Sequence, residues 1–357
     1  MANKGVRIGV IGSGFASTVQ IPALQHVPSA EIVAMVSQHL DRARACAKEF
    51  GIPRAYDDYQ QMLAESKPDL VLITTPVYLH HAMTLAVLNA GCHVLCEKPM
   101  ASNVDQAYEM LARATEANVV NVIDHELRFD PNHRRVKQLL DAGFVGKVYH
   151  VHMNVLDPLR ADALASPFSW WSEASKGGGQ LGARASHMID LVQWWLGDIG
   201  SVSAQLGTWV QWRRGNTPST MLPVTSDDQF TLLAETRNGS MVVLFDSEVS
   251  RHLACDHAEI IGSEGTLILD SRDGLHGGRT GEPLSDLTLA NPDSQLPGIG
   301  PGMWASSFVG LAREVVGAVD ENRRTAEAAT FKEGLRVQQV LDAAHRSWSE
   351  RRWVYLT

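Results

Sequence analysis

Hydrophobic and polar positions in the first third of the chain alternate between short apolar runs and longer amphipathic stretches. Val6 to Ile11, Glu31 to Ser37, Asp69 to Thr74, His93 to Cys96 and Val119 to Asp124 have the look of buried parallel strands. Ala16 to His26, Asp41 to Phe50, His80 to Ala90 and Asp105 to Ala117 fall between them with helical patterning. Asp41 reads as an N-cap, and Gly51, Pro53 and Gly91 read as stops. Regular alternation of strand and helix predicts a doubly wound parallel sheet. Near residue 125 the rhythm changes. A helix is expected over Asn132 to Ala142, an alternating strand over Val148 to Val155, and a helix over Ser186 to Leu196. The chain is then mostly extended: Val202 to Trp212, Asp228 to Arg237, Ser240 to Ser250, His257 to Ile261 and Thr266 to Asp270, with Asn238-Gly239 as a hairpin turn. Short links between these strands predict a mainly antiparallel sheet. Gly274 to Gly302, rich in Gly, Pro, Asp and Ser, is expected to be an exposed loop, and two helices, Trp304 to Glu321 and Phe331 to Glu350, close the chain.

The 357 residues are enough for two domains, and the pattern sets them at 1–124 and 125–357. The fold class is therefore an α/β Rossmann domain followed by an α+β domain with a large open sheet. With 45% hydrophobic and 20% charged residues the composition is that of a soluble globular protein. A formal charge of −9 argues against nucleic acid or an anionic membrane surface as partner. Cys46, Cys92, Cys96 and Cys255 form no C-x-x-C pair, which fits a reducing, cytoplasmic setting. Met1-Ala2-Asn3-Lys4 lead directly into the first strand, so no secretory signal is expected, and no apolar run has the length of a membrane span. No metal site is expected, since His80-His81 and His133 lack companion ligands at a diagnostic spacing.

Two segments carry candidate chemistry. Gly12-Ser13-Gly14-Phe15-Ala16-Ser17 follows the first strand and opens the first helix. Glycine at the first two fingerprint positions permits a tight turn and close approach of a pyrophosphate, and the helix N-terminus favours its charge. Ser17 stands where glycine or alanine is usual, and is still small. The tip of the second strand, Ser37-Gln38-His39, has no carboxylate to bind a ribose 2′-hydroxyl, and Arg42 is nearby. The cofactor expected is NAD or NADP, with NADP or dual use somewhat favoured. The second segment runs from Gly177 to Asp190, where three consecutive glycines are expected to bring backbone close to a ligand and a helix then carries His187 and Asp190. Trp170 and Trp171 either stack on a sugar ring or pack their own loop. His152, Asp157 and Arg160, on or after the strand over 148–155, are further pocket candidates.

Together with the fingerprint, Thr75-Pro76 with His80, Gly91-Cys92-His93-Val94-Leu95-Cys96-Glu97-Lys98-Pro99, Arg128-Phe129 with Pro131, and the segment Gly177 to Asp190 occur in one order. In these pieces the chain resembles the Gfo/Idh/MocA oxidoreductases, a family that includes glucose-fructose oxidoreductase and inositol dehydrogenase. The resemblance implies a substrate cleft between the two domains and assembly as a homodimer or homotetramer. It also implies hydride transfer between a nicotinamide and a sugar, cyclitol or related hydroxy or keto compound. It puts Lys98 at the nicotinamide ribose and the substrate hydroxyl, with Glu97 helping to hold the ribose and His187 as an acid/base or orienting group. Thr75, Pro76 and His80 fall with the cofactor-binding residues, and His125, Arg128 and Arg184 are candidates for the substrate side. Two departures stand out: Ala183 occupies the place of an aspartate found in inositol dehydrogenase-like members, and Val77 that of an asparagine. With no carboxylate at 183, Lys98 is expected to be the main acid/base and His187 to hydrogen-bond the reacting oxygen. Positive charge on a nicotinamide favours the neutral, basic form of such a lysine. The same family contains NAD-dependent glycosidases and non-catalytic cofactor-binding regulators, which are the competing readings.

Overall fold

A computed structural model of the protein describes residues 5–356 except 216, 218, 253 and 254; the Met1 to Lys4 stretch lies outside the described residues. The chain forms two compact units, residues 1–130 with 291–335 and residues 131–290 with 336–357.

The first unit holds β1 (Val6–Ile11), β2 (Ala30–Val36), β3 (Ala55–Tyr56), β4 (Leu70–Ile73), β5 (His93–Cys96) and β6 (Asn121–Ile123). They form a parallel sheet in the order β3-β2-β1-β4-β5-β6, the doubly wound arrangement in which the strand order reverses beside β1. The connecting helices are α1 (Ile21–Leu24), α2 (Leu40–Phe50), α3 (Tyr59–Ser66), α4 (Val77–Asn89) and α5 (Val104–Ala117). Nearly every residue of β1, β4 and β5 is buried, which explains why these runs are apolar without alternation. The first helix departs from expectation: Ala16–Gln20 is a π-helical turn running into α1. Asp41 lies in the first turn of α2 with His39 at the N-cap, and α4 starts at Val77, three residues before the expected His80.

The second unit begins with α6 (Pro131–Asp141), then β7 (Val148–Leu156), α7 (Ser186–Leu196) and β8 (Ile199–Gly207). Next come β9 (Trp212–Arg214), β10 (Met221–Pro223), β11 (Gln229–Thr236), β12 (Met241–Ser247), β13 (Cys255–Gly262), β14 (Gly265–Asp270), β15 (Gly274–Arg279) and β16 (Ser285–Asp286). α8 (Met303–Asp320) belongs to the first unit, α9 (Phe331–Glu350) starts in the first and ends in the second, and β17 (Val354–Tyr355) follows. Among the described residues nine strands form one sheet, β16-β15-β14-β13-β7-β12-β11-β8-β17, antiparallel except for the β7–β12 pair. The strand expected over 202–212 ends at Gly207, and β9 pairs separately with β10.

Residues 274–302 correct the loop expectation, because they open with β15, paired antiparallel to β14. Its glycines are packing requirements: a Cβ on Gly277 would lie 2.7 Å from side-chain carbons of Leu267 and Leu287. α8 packs on α1, β1 and the turn Glu126–Phe129, with Phe308, Leu311, Ala312 and Val315 buried. Gly310 permits that approach, since a Cβ there would come within 3.0 Å of Phe129 Cβ.

At the end of β1, Gly12 has φ +107°, and a Cβ on it would stand 2.1 Å from the carbonyl oxygen of Thr74. Gly12→Ala must therefore push apart the turn after β1 and the Thr74 backbone after β4. We expect it to cost about 3 kcal/mol or more of unfolding free energy, measurable by urea denaturation. A loss below about 1 kcal/mol would show that the turn tolerates a side chain.

Candidate active site

Because β1, β2, β4, β5 and β6 run parallel, the residues that follow them share one edge of the sheet. That edge collects Gly12 and Gly14, Ser37 with Gln38 and His39, Thr75 and Pro76, Glu97 and Lys98, and His125. The sequence candidates of the first unit thus converge on the edge where open α/β sheets bind ligands. Gly14 differs from Gly12: a Cβ on Gly14 meets nothing within 4 Å, so the fold itself does not demand glycine there. Such open space at a helix start fits a phosphate-bearing cofactor. Ala16 is fully buried and Phe15 is 37% exposed at this start, and Ser17 Oγ donates back to Gly14 O at 3.1 Å. Ser37 Oγ and Ser13 Oγ lie 3.2 Å apart, joining the tip of β2 to the glycine turn, while Gln38 and His39 are exposed.

Beneath the turns lies a buried polar network that sequence reading missed. Thr74 Oγ1 donates to Gln20 Oε1 at 2.5 Å. Gln20 Nε2 donates to Glu97 Oε1 at 3.0 Å and to Asp124 Oδ2 at 2.8 Å. Glu97 Oε2 accepts the backbone N–H of Lys98 at 3.2 Å. Glu97, Asp124 and Glu126 are all buried. Burial, reinforced by Asp124, raises the Glu97 pKa well above the ordinary carboxylate range. Asp124 is raised by burial and then by Glu126, and Glu126 is pushed up to about 8 by burial and then by Glu97. The clue in the sequence was polarity out of place: Gln20 on a buried helix face, and Asp124 and Glu126 at the end of an apolar strand.

Lys98 is half-buried at the end of β5, before a cis peptide to Pro99. His80 is fully buried, with Nε2 2.8 Å from Thr75 O and Nδ1 3.0 Å from Pro99 O. Burial lowers its pKa, and the carbonyl contacts oppose that shift. His125 is buried, as is Arg128, whose Nη1 donates to Glu327 O at 3.4 Å.

The remaining candidates lie in the second unit. A π-helical turn, Leu181–Ala185, carries Arg184 and continues into α7, where His187 and Asp190 are both buried. Two of the glycines before it, Gly178 and Gly179, are required by the protein's own packing. A Cβ on Gly178 would lie 2.2 Å from Trp171 O, and one on Gly179, at φ +114°, 2.3 Å from Asp227 Oδ1. Asp227 Oδ2 accepts the N–H of Leu181 at 2.8 Å, and burial pushes its carboxyl up to about 7. Arg184 Nε lies 3.6 Å from Asp246 Oδ2, and Arg160 Nε 3.6 Å from Glu248 Oε2. Asp246 is fully buried on β12 and pushed up to about 8 by burial, against the pull of Arg184. Trp170 and Trp171 pack edge to face at 5.3 Å, with the Arg160 guanidinium 5.6 Å from the Trp171 ring. His152 alternates with buried Val151 and Met153 and so faces the other side of the sheet from them.

The sequence profile described as "Oxidoreductase family, NAD-binding Rossmann fold" matches residues 6–125, and that of the GFO/IDH/MocA C-terminal domain matches residues 133–268. The chain belongs to the Gfo/Idh/MocA oxidoreductase family. An uncharacterized oxidoreductase of Synechocystis sp. is 30% identical over 99% of this chain and 96% of its own length. Levoglucosan dehydrogenase of Pseudarthrobacter phenanthrenivorans is 25% identical over 98% of each chain. The solved structure of a levoglucosan dehydrogenase with NADH and levoglucosan superposes with a TM-score of 0.90 over 99% of both chains, at 23% identity, a likeness of fold. The first unit of this Gfo/Idh/MocA protein is thus an NAD-binding domain, and the chain is an oxidoreductase. Among the described residues no helix is long and apolar enough to cross a membrane.

Glu126 keeps its proton up to about pH 8 in the fold, against an ordinary value of 4.5, so its contribution to stability is lost as pH rises through that window. Glu126→Gln should therefore gain on the parent protein as pH rises, by at most about 1.4 kcal/mol per pH unit. Urea unfolding at about pH 5 and about pH 8 checks this, and a pH-independent difference between the two proteins would contradict it.

Proposed function

We propose that the protein oxidises a secondary hydroxyl of a sugar, cyclitol or similar polyol, or reduces the corresponding ketone. Lys98 is the acid/base and His187 orients the substrate. The observation that carries this reading is the position of Lys98. It stands half-buried at the same sheet edge as the open Gly14 turn, its backbone N–H held by Glu97. Bound nicotinamide supplies the hydride acceptor. As the carbinol C–H leaves as hydride, the hydroxyl proton would pass to Lys98 Nζ and the C–O bond would become a carbonyl; reduction would run the same steps backwards. Gly12, Gly14, Phe15 and Ala16 bind the pyrophosphate, while Thr75 and Pro76 border the nicotinamide end. Ser37, Gln38 and His39 meet the adenosine ribose, with NADP or dual use supported by the lack of a carboxylate there. His125, Arg128, Arg184, Trp170 and Trp171 are assigned to the substrate side. The same reading has the protein working in the cytoplasm as a homodimer or homotetramer, without a nucleic-acid or membrane partner, in keeping with the −9 charge.

The levoglucosan dehydrogenase relative suggests the first substrate to try. A nicotinamide absorbance screen with NAD+ and NADP+ over levoglucosan, myo-inositol and methyl glucosides should give net reduction of the cofactor. Glycoside cleavage without net reduction would instead indicate a glycosidase, and tight cofactor binding with neither would indicate a regulator. Lys98→Met should lower kcat by about a hundredfold or more while cofactor still binds. Unchanged hydride transfer in that variant would remove Lys98 from the mechanism.

A further inference from the structure

The Thr75 and Pro99 carbonyls that meet the His80 ring belong to different turns, one after β4 and one after β5. The second is next in the chain to Lys98. We propose that His80 is a positioning residue for Lys98, tying the turn that presents the lysine to the Thr75-Pro76 turn beside it. The proposal rests on the acid/base role given to Lys98. On one side of that lysine the backbone is fixed by Glu97, which accepts the Lys98 N–H at 3.2 Å. On the other side the Pro99 carbonyl is fixed by His80 at 3.0 Å. Anchors on both sides fix the backbone from which the lysine side chain starts, so the position of Nζ varies only through its side-chain rotations. Proton transfer depends steeply on such placement, and a displacement of about 1 Å can cost about a hundredfold in rate.

His80 does this without touching the reactants. It sits on the first turn of α4, fully buried, with both ring nitrogens within hydrogen-bond distance of main-chain oxygens: the neutral ring donates to one of them, and Nδ1–H to Pro99 O alone still ties the Pro99 turn to the start of α4, while the imidazolium donates to both. Leucine at this position would fill similar space and pin neither carbonyl. Glutamine would return N–H donors on a flexible arm.

The test compares His80→Leu and His80→Gln with the parent protein and with Lys98→Met. Each is assayed with NAD+ and levoglucosan, or with whichever polyol of the screen is turned over fastest. Rates are referred to folded protein measured by circular dichroism. His80→Leu should lower kcat by about a hundredfold and raise KM by much less. Its solvent deuterium isotope effect on kcat should rise, because a misplaced lysine makes proton transfer limiting. His80→Gln should recover at least about tenfold of the lost rate, and it carries the test if the leucine variant does not fold. A kcat and isotope effect within about twofold of the parent in His80→Leu, or in His80→Gln when it stands alone, would overturn the proposal. So would equal losses in both variants with an unchanged isotope effect. If Lys98→Met also keeps hydride transfer, it is the acid/base reading that fails. If Lys98→Met is inactive while the His80 variants match the parent, the failure belongs to His80 alone.

Discussion

The first unit depends on one constraint: the turns that follow its parallel strands must be held at a common edge, where backbone bonds such as Thr74 N–H to Ile11 O, Glu97 N–H to Ile73 O and Asp124 N–H to Cys96 O carry the sheet only one residue further. Gln20 meets much of that need. Its amide reaches Thr74 after β4, Glu97 after β5 and Asp124 after β6, so one side chain of the first helix links three strand ends. Buried carboxylates are costly when ionised, and the network tolerates them by leaving them protonated well above the ordinary range. His80 extends the same principle one turn further, from Thr75 to Pro99.

The second unit solves a similar problem with different chemistry. The π-helical turn before α7 is seated by Asp227, whose carboxylate takes the Leu181 N–H and occupies the space a side chain at Gly179 would need. No acid stands at Ala183; besides Asp227, the turn meets a carboxylate from the sheet, Asp246 on β12, which pairs with Arg184. A turn held in this way gives α7 a fixed start, and His187 follows two residues after the π-helical turn ends.

Much of this was legible in the residues. Apolar runs marked the parallel strands, and the glycine turn with Glu97-Lys98-Pro99 marked the edge that they share. What was not legible was polar chemistry hidden on apolar faces. Gln20, Asp124, Glu126 and Asp246 look incidental until partners distant in sequence are brought beside them. Glycine in the 274–302 stretch misled, for a reason that also applies before α7. At Gly178, Gly179 and Gly277 the missing Cβ makes room for the protein's own backbone and side chains. Gly14, where a Cβ would meet nothing within 4 Å, looks the same in sequence. Only the emptiness around it tells the two kinds apart.

The central claim is direct hydride transfer from a polyol carbon to the nicotinamide bound at this edge. Its most direct test uses a polyol deuterated at the reacting carbon, incubated with the protein and NAD+, with the product cofactor examined by mass spectrometry and proton NMR. The account predicts one deuterium at C4 of the reduced nicotinamide, on a single face. Reduced cofactor without the label, or with label lost to solvent, would contradict it.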